Sequence, residues 1–190
     1  MVKNKHPERW ERQYHAGVLD LKDFVAEGTK QLKPSGRQRG TMIHGVLEKI
    51  QASREIADLL KETVSELGAP DLIEAMSLDA DYGEALEEEI RLFVEDEEWK
   101  WYFEGEYYSE LPFVHLLNAH DWRIGDLDLY RPGRDPLVID FKTHESVTNQ
   151  ESAEAVATEY ELQMRIYGDA AEAEARLFFT KARMDIAFRR

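Results

Sequence analysis

The sequence predicts an α/β fold, and three observations carry that expectation. Apolar residues recur at helical spacing from Thr41 to about residue 100; the texture then changes near residue 105 to short segments rich in Tyr, Val, Ile and Phe; and one long helical stretch interrupts those segments. The resulting order is helices, three strands, a helix and two strands.

Each element has its own signal. Residues 1–35 lack sustained periodicity and run into KPSGRQRG, a Pro/Gly-punctuated stretch that reads as a loop before the first helix. From Thr41, the residues Ile43, Val46, Leu47 and Ile50 fall on one helical face, and further helical patterns run through about residues 53–67, 70–78 and 82–100. EYYSELPFV, DWRIGDLDLY and PLVIDFKT read as three strands, with RPGRDP as the turn between the last two. A helix spans roughly Glu151 to Ala173. ARLFFTKARMDIAF then supplies two strands around a turn near Ala182 and Arg183.

At 190 residues and 43% hydrophobic content the chain can bury one good core. The expected organisation is a basic segment, 1–37, followed by one catalytic domain, 38–190, with a helical part 38–104 and a sheet-and-helix part 105–190. There is no cysteine, which removes disulfides, thiolate zinc sites and cysteine-ligated iron–sulfur clusters. Any metal must be held by oxygen and imidazole ligands, which favours a hard cation such as Mg²⁺ or Mn²⁺. MVKNKHPERWERQYH contains no apolar core of signal-peptide length, and no window approaches a membrane span, so a soluble, cytoplasmic protein without a membrane partner is expected. A Gly-x-x-x-x-Gly-Lys phosphate loop is absent, so any nucleotide-driven motor is a separate protein or domain.

The formal net charge of −15 runs against nucleic-acid binding, which normally draws on a basic footprint. The charge is unevenly spread. Residues 1–39 hold nine Lys/Arg against five Asp/Glu, while acid concentrates in EALEEEIRLFVEDEE, Glu84 to Glu98. With Leu86, Ile90, Phe93 and Val94 at helical spacing, that run reads as a solvated helix face without chemistry.

The chemistry lies in the strands. In PLVIDFKT, alternation sends Leu137, Ile139 and Phe141 to one face and Val138, Asp140 and Lys142 to the other. A carboxylate and an ammonium inside so apolar a strand are costly if unpaired, and suggest a site. RIGDLDLY has the same form, with Leu127 and Leu129 on one face and Asp126 and Asp128 on the other. If Asp128 and Asp140 sit on neighbouring strands about 4 Å apart, their repulsion at an effective dielectric near 20 is of order 4 kcal/mol. A divalent cation or Lys142 must offset it. Asp126 shares the face of Asp128, and local geometry leaves both open.

These residues, with others in order along the chain, resemble the PD-(D/E)XK nuclease superfamily, and within it the RecB-type nuclease domains of helicase–nuclease recombination enzymes. The resemblance covers about residues 38–188 and rests on five blocks: Gly40, Thr41 and His44; Glu110, Pro112 and Phe113; Gly125 and Asp128; Asp140, Lys142 and Thr143; and Tyr160, Gln163 and Tyr167. It implies a restriction-endonuclease-like core, a small mixed sheet flanked by helices with the site at one edge, preceded by a helical region. It implies that His44, Asp128, Asp140 and the backbone carbonyl of Phe141 coordinate Mg²⁺ or Mn²⁺, with Lys142 near the attacking water. The family spacing selects Asp128 over Asp126. Glu110 carries over as a catalytic residue, and Gln163 as one that supports the site or contacts nucleic acid. Tyr160, Tyr167 and Thr143 support the site. The iron–sulfur branch needs four cysteines and is excluded.

The function so implied is metal-dependent hydrolysis of DNA phosphodiester bonds, as an exonuclease on single strands or DNA ends, in repair or recombination and alongside a helicase. Two alternatives stand beside it: a catalytically silent nuclease fold that serves as an interaction or DNA-binding module, and a hydrolase for another phosphate ester. The intact Asp128, Asp140 and Lys142 set argues against the first.

Overall fold

The computed structural model describes residues 36–50, 54–67 and 80–188. The loop expected over residues 1–35 and the helix expected over 70–78 lie outside the described residues.

The first helix, α1, is Gly36–Glu48. It begins before Thr41 and takes in the end of the stretch read as a loop, because Gln38 and Arg39 are buried and pin its first turn to the interior. Met42, Ile43, Val46 and Leu47 form its apolar stripe. Helix α2, Ile56–Glu66, buries Ile56, Leu59, Leu60, Thr63 and Val64 at the same spacing. Gly45 of α1 faces Thr63 so closely that a Cβ there would lie 2.6 Å from the Thr63 methyl. Glycine is what lets these two helices touch.

Helix α3, Ala80–Val94, buries Leu86, Ile90 and Phe93. It stops six residues short of the expected end. The chain bends there and re-forms as a 3-10 turn, Lys100–Phe103, which directs Trp99 and Tyr102 into the core. Their rings meet Phe178 at 5.1 and 5.8 Å, alongside Phe93, which stacks on Phe178 at 4.1 Å. Four aromatic anchors thus close the junction of helices and sheet.

Five strands follow: β1 Tyr108–Asn118, β2 Asp121–Arg131, β3 Leu137–Lys142, β4 Glu174–Phe179 and β5 Met184–Phe188. They form one sheet in the order β1-β2-β3-β4-β5. Every neighbouring pair is antiparallel except β3 and β4, which run parallel. The parallel pair needs a crossover, and α4, Gln150–Ala171, supplies it. Its start is fixed by a reciprocal cap in which Asn149 accepts from the Ser152 amide and Ser152 accepts from the Asn149 amide.

The sheet has a core on each face. Leu129, Leu137, Ile139, Phe141 and Phe178 pack under α1, α2, α3 and the 3-10 turn. Leu127, Val138, Ala175, Leu177 and Phe179 pack under α4 with Ala153, Ala157, Met164 and Tyr167. In β3 the alternation holds as expected. It fails in β2: Leu127 and Leu129, expected on one face, lie in opposite cores. The reason is local. Opposite Asp128, Glu110 of β1 adopts φ 48, a left-handed conformation rare for a non-glycine residue. The β1–β2 pairing therefore lapses at Glu110 and Asp128 while the register is kept on either side, Ser109↔Leu129 and Leu111↔Leu127, and β2 pairs with β3 only at Leu129, Tyr130 and Arg131. The strand turns over where it leaves its neighbour.

Beyond that point the β1–β2 hairpin leaves Val114, Leu116, Trp122 and Ile124 exposed on one face. Among the described residues, no helix is long and apolar enough to cross a membrane.

Candidate active site

The gap between β2 and β3 is where the polar residues converge. Asp128 Oδ2 accepts a hydrogen bond from the Phe141 amide at 2.8 Å, so a carboxylate stands where a ladder carbonyl would otherwise be. From α1, His44 reaches in and places Nδ1 3.3 Å from the same oxygen. One turn earlier on the same helix face, Gly40 sits against Thr143, where a Cβ would lie 3.0 Å from Oγ1. A glycine at that position lets the helix come near enough for His44 to meet the sheet.

Glu110 completes the group. His44, Glu110 and Asp128 each offer a ligand atom within 4.8 Å of the others. The left-handed backbone at Glu110 is how an edge strand delivers a third donor to this point. Burial, then the negative charges of Asp128, Glu48, Asp126 and Asp140, push the Glu110 carboxyl up to about 8. The charges that raise it are all anions.

Asp140 is fully buried and occupied differently. Its Oδ2 pairs with Lys142 Nζ at 2.5 Å, and its Oδ1 accepts from the Gln163 side-chain amide at 3.0 Å. Burial pushes its carboxyl up to about 6; Lys142 opposes that and Asp128 adds to it. Burial also works against the Lys142 ammonium, but Asp140 and Asp128 outweigh it and hold the group charged beyond its ordinary range. Lys142 further lies over the ring of Tyr160, 4.7 Å from the centroid.

Helix α4 supplies the support. Gln163 donates to Tyr167 Oη at 2.9 Å as well as to Asp140, so one amide ties the helix to β3. Tyr167 is buried edge-on against Phe113 of β1, at 5.3 Å. Tyr160 Oη lies 2.8 Å from His144 Nε2. Of the residues expected at the site, His44, Glu110, Asp128, Asp140, Lys142, Gln163, Tyr160, Tyr167 and Thr143 are thus gathered at one place, with the Phe141 amide among them. Asp126 instead pairs with Pro112, which is exposed. Asp140 lies outside the three-residue donor group and makes its contacts to Lys142 and Gln163.

One imidazole and neighbouring carboxylates, without thiolate, suit a hard divalent cation. Residues 5–187 match the PD-(D/E)XK nuclease superfamily. The chain belongs to that superfamily. A curated relative, an ATP-dependent helicase/nuclease subunit from Exiguobacterium sibiricum, is 27% identical over 165 residues, an alignment covering 73% of this chain and 13% of the relative. The chain therefore spans about one-eighth of that protein's length.

The chain holds further polar residues that its sequence alone did not single out. Arg39 is buried, donates to the Thr143 carbonyl at 2.9 Å and pairs with Glu89 of α3. Thr180, just after β4, donates from Oγ1 to Glu89 at 2.9 Å and from its amide to the Lys142 carbonyl at 3.0 Å. Glu89 belongs to the run read as a solvated face without chemistry, and it departs from that reading. Its position was the available signal: it lies on the Leu86, Ile90 and Phe93 stripe, three residues after the first and four before the last. An acid there needs an internal partner. His144, held against Tyr160, had no comparable signal.

Proposed function

We propose that this protein is a divalent-cation-dependent nuclease that hydrolyses phosphodiester bonds in DNA, as an exonuclease on single strands or DNA ends, in repair or recombination. The observation that carries the reading is the meeting of His44, Glu110 and Asp128 beside the buried Asp140–Lys142 pair.

In this reading His44, Asp128 and Asp140, with the Phe141 carbonyl and Glu110, hold Mg²⁺ or Mn²⁺. A cation held there would supply positive charge at the scissile phosphate and lower the pKa of a bound water. Lys142 orients the attacking water and stabilises the negative charge that builds up on the phosphate oxygens. Asp140 keeps Lys142 charged and aimed. Gln163 fixes the Asp140 carboxylate, Tyr160 offers a face against which the ammonium rests, and Tyr167 and Thr143 back these groups.

The relative is named as part of a helicase/nuclease, and a motor acting beside this domain accounts for an acidic chain that handles DNA. A strand delivered by a motor makes high intrinsic affinity unnecessary. The basic segment 1–37 then guides the strand toward the site.

The test is cleavage of end-labelled single- and double-stranded DNA, linear and circular, with Mg²⁺, Mn²⁺ or EDTA. Cleavage is expected on linear DNA with cation, spared circles, and a loss of at least about a hundredfold in Asp140→Ala and Lys142→Ala. Cleavage that survives EDTA or both substitutions overturns the mechanism. Cleaved circles overturn the exonuclease assignment.

A further inference from the structure

We infer that Arg39, held by Glu89 and Thr180, is a positioning residue for the cation site: it locks the helix that carries His44 to the end of the strand that carries Asp140 and Lys142. This rests on the nuclease reading above.

His44 belongs to the helical layer on one face of the sheet, whereas Asp140 and Lys142 belong to β3. Their separation depends on how α1 sits against β3. The shared apolar core seats the helix, and two further contacts tie it to the end of the strand; both fall on Thr143, the residue after Lys142. Gly40 approaches the Thr143 side chain, and Arg39 Nη1 donates to the Thr143 carbonyl at 2.9 Å. The other prong of the guanidinium pairs with Glu89 of α3. The second oxygen of Glu89 accepts from Thr180, whose amide bonds the Lys142 carbonyl at 3.0 Å. The chain of contacts is closed: Thr143 carbonyl, Arg39, Glu89, Thr180, Lys142 carbonyl. Arg39 and Thr180, bridged by Glu89, hold the two consecutive carbonyls of Lys142 and Thr143.

Arg39 is 5% exposed, so this charge is inside the protein and not on a surface offered to DNA. A buried ion pair adds little net stability, because desolvation offsets its attraction; its better-attested effect is to fix one arrangement among several. A planar fork holding two acceptors at once is what lysine cannot reproduce.

The experiment compares the whole protein with Arg39→Lys, Glu89→Gln and the double variant, with Asp140→Ala as the inactive reference. Single-stranded DNA cleavage is measured well below each variant's melting temperature, and Mn²⁺ binding is measured separately by calorimetry. A positioning role lowers kcat at least tenfold, leaves KM for DNA within twofold and weakens Mn²⁺ binding at least fivefold, and the double variant is no worse than the poorer single one. A lowered melting temperature with kcat and Mn²⁺ binding both within twofold overturns the inference and leaves only a structural contact. If Arg39→Lys does not fold, Thr180→Val removes the hydroxyl bond to Glu89 and the longer one to the Lys142 carbonyl, and keeps the amide bond to that carbonyl; a threefold fall in kcat supports the inference and an unchanged kcat overturns it. If the wild-type protein binds Mn²⁺ but cleaves nothing, the nuclease reading has failed, and calorimetry alone decides the positioning of His44. No Mn²⁺ binding by the wild type overturns both.

Discussion

At Glu110 the backbone accepts a left-handed conformation, and the side chain ends up among four other acids with burial working against its charge. Strain and desolvation at the same residue are what the proposed cation would offset. The sign of the pH dependence follows. Glu110 is raised from 4.5 to about 8 and Asp140 from 3.8 to about 6, so the cation-free fold binds more protons than the unfolded chain between those limits. Their contribution to stability is present below about pH 4 and is lost as pH rises through 6 and then 8. In the proposed site a cation is held by the ionised carboxylates, so its affinity moves the opposite way. The rise in melting temperature produced by saturating Mn²⁺ is therefore expected to be larger at pH 8 than at pH 6, with EDTA as baseline. An equal rise at both values would show that Glu110 and Asp140 do not release protons to the cation. Asp128, Asp140 and Lys142 were legible because charged residues in apolar strands are conspicuous. Nothing in the composition of β1 announces a left-handed glutamate, and Arg39 is hidden as one arginine among several in a basic stretch.

Helix α1 is the element on which the site depends most, and its two central glycines are spacers. Gly40 admits Thr143, and Gly45 admits Thr63. Alanine in a helix interior is intrinsically better than glycine by about 1 kcal/mol. At Gly45 that gain is outweighed, because the new methyl would meet the Thr63 methyl at 2.6 Å and Thr63 is buried and β-branched. Gly45→Ala is expected to destabilise by about 1–3 kcal/mol in denaturant unfolding, the range for overpacking. Removing the obstructing methyl with Thr63→Ser is expected to restore most of it. Stability equal to or above wild type in Gly45→Ala alone would show that α1 and α2 separate freely. The helices' existence was legible from apolar spacing. The early start of α1 was not, because Gln38 and Arg39 look like surface residues until the fold buries both and brings Thr143 and Glu89 beside Arg39. The alternation expected of β2 fails between Leu127 and Leu129, at Asp128, where a tertiary contact with the Phe141 amide replaces the ladder.

For the whole molecule, the sheet is a partition with a core on each side, and the site is where both sides reach each other. His44 comes from the helical layer, Gln163 from α4, and the carboxylates from the strands between. Element order and element type were legible in the sequence, and so was the α/β architecture. The closing of one layer onto the other was not, because it is made by aromatic contacts between Phe93, Trp99, Tyr102 and Phe178, from segments far apart in the chain. Phe93 is fully buried, stacks on Phe178 at 4.1 Å, meets Phe141 edge-on at 5.6 Å, and lies one turn after Glu89 on the same face of α3. Replacing it therefore acts on stability and on the site together. Phe93→Ala is expected to lose about 3–5 kcal/mol, a large part of the stability of an ordinary domain. Binding to the folded state alone restores about 2.7 kcal/mol at a hundredfold excess of cation over its dissociation constant. If the helical layer and the site form one cooperative unit, Phe93→Ala unfolds in a single transition and Mn²⁺ returns less than that, because the variant's own cation affinity is weakened through Glu89 and Arg39. Full recovery by Mn²⁺, or two separate transitions, would show that the strands hold the cation without help from the helices above them.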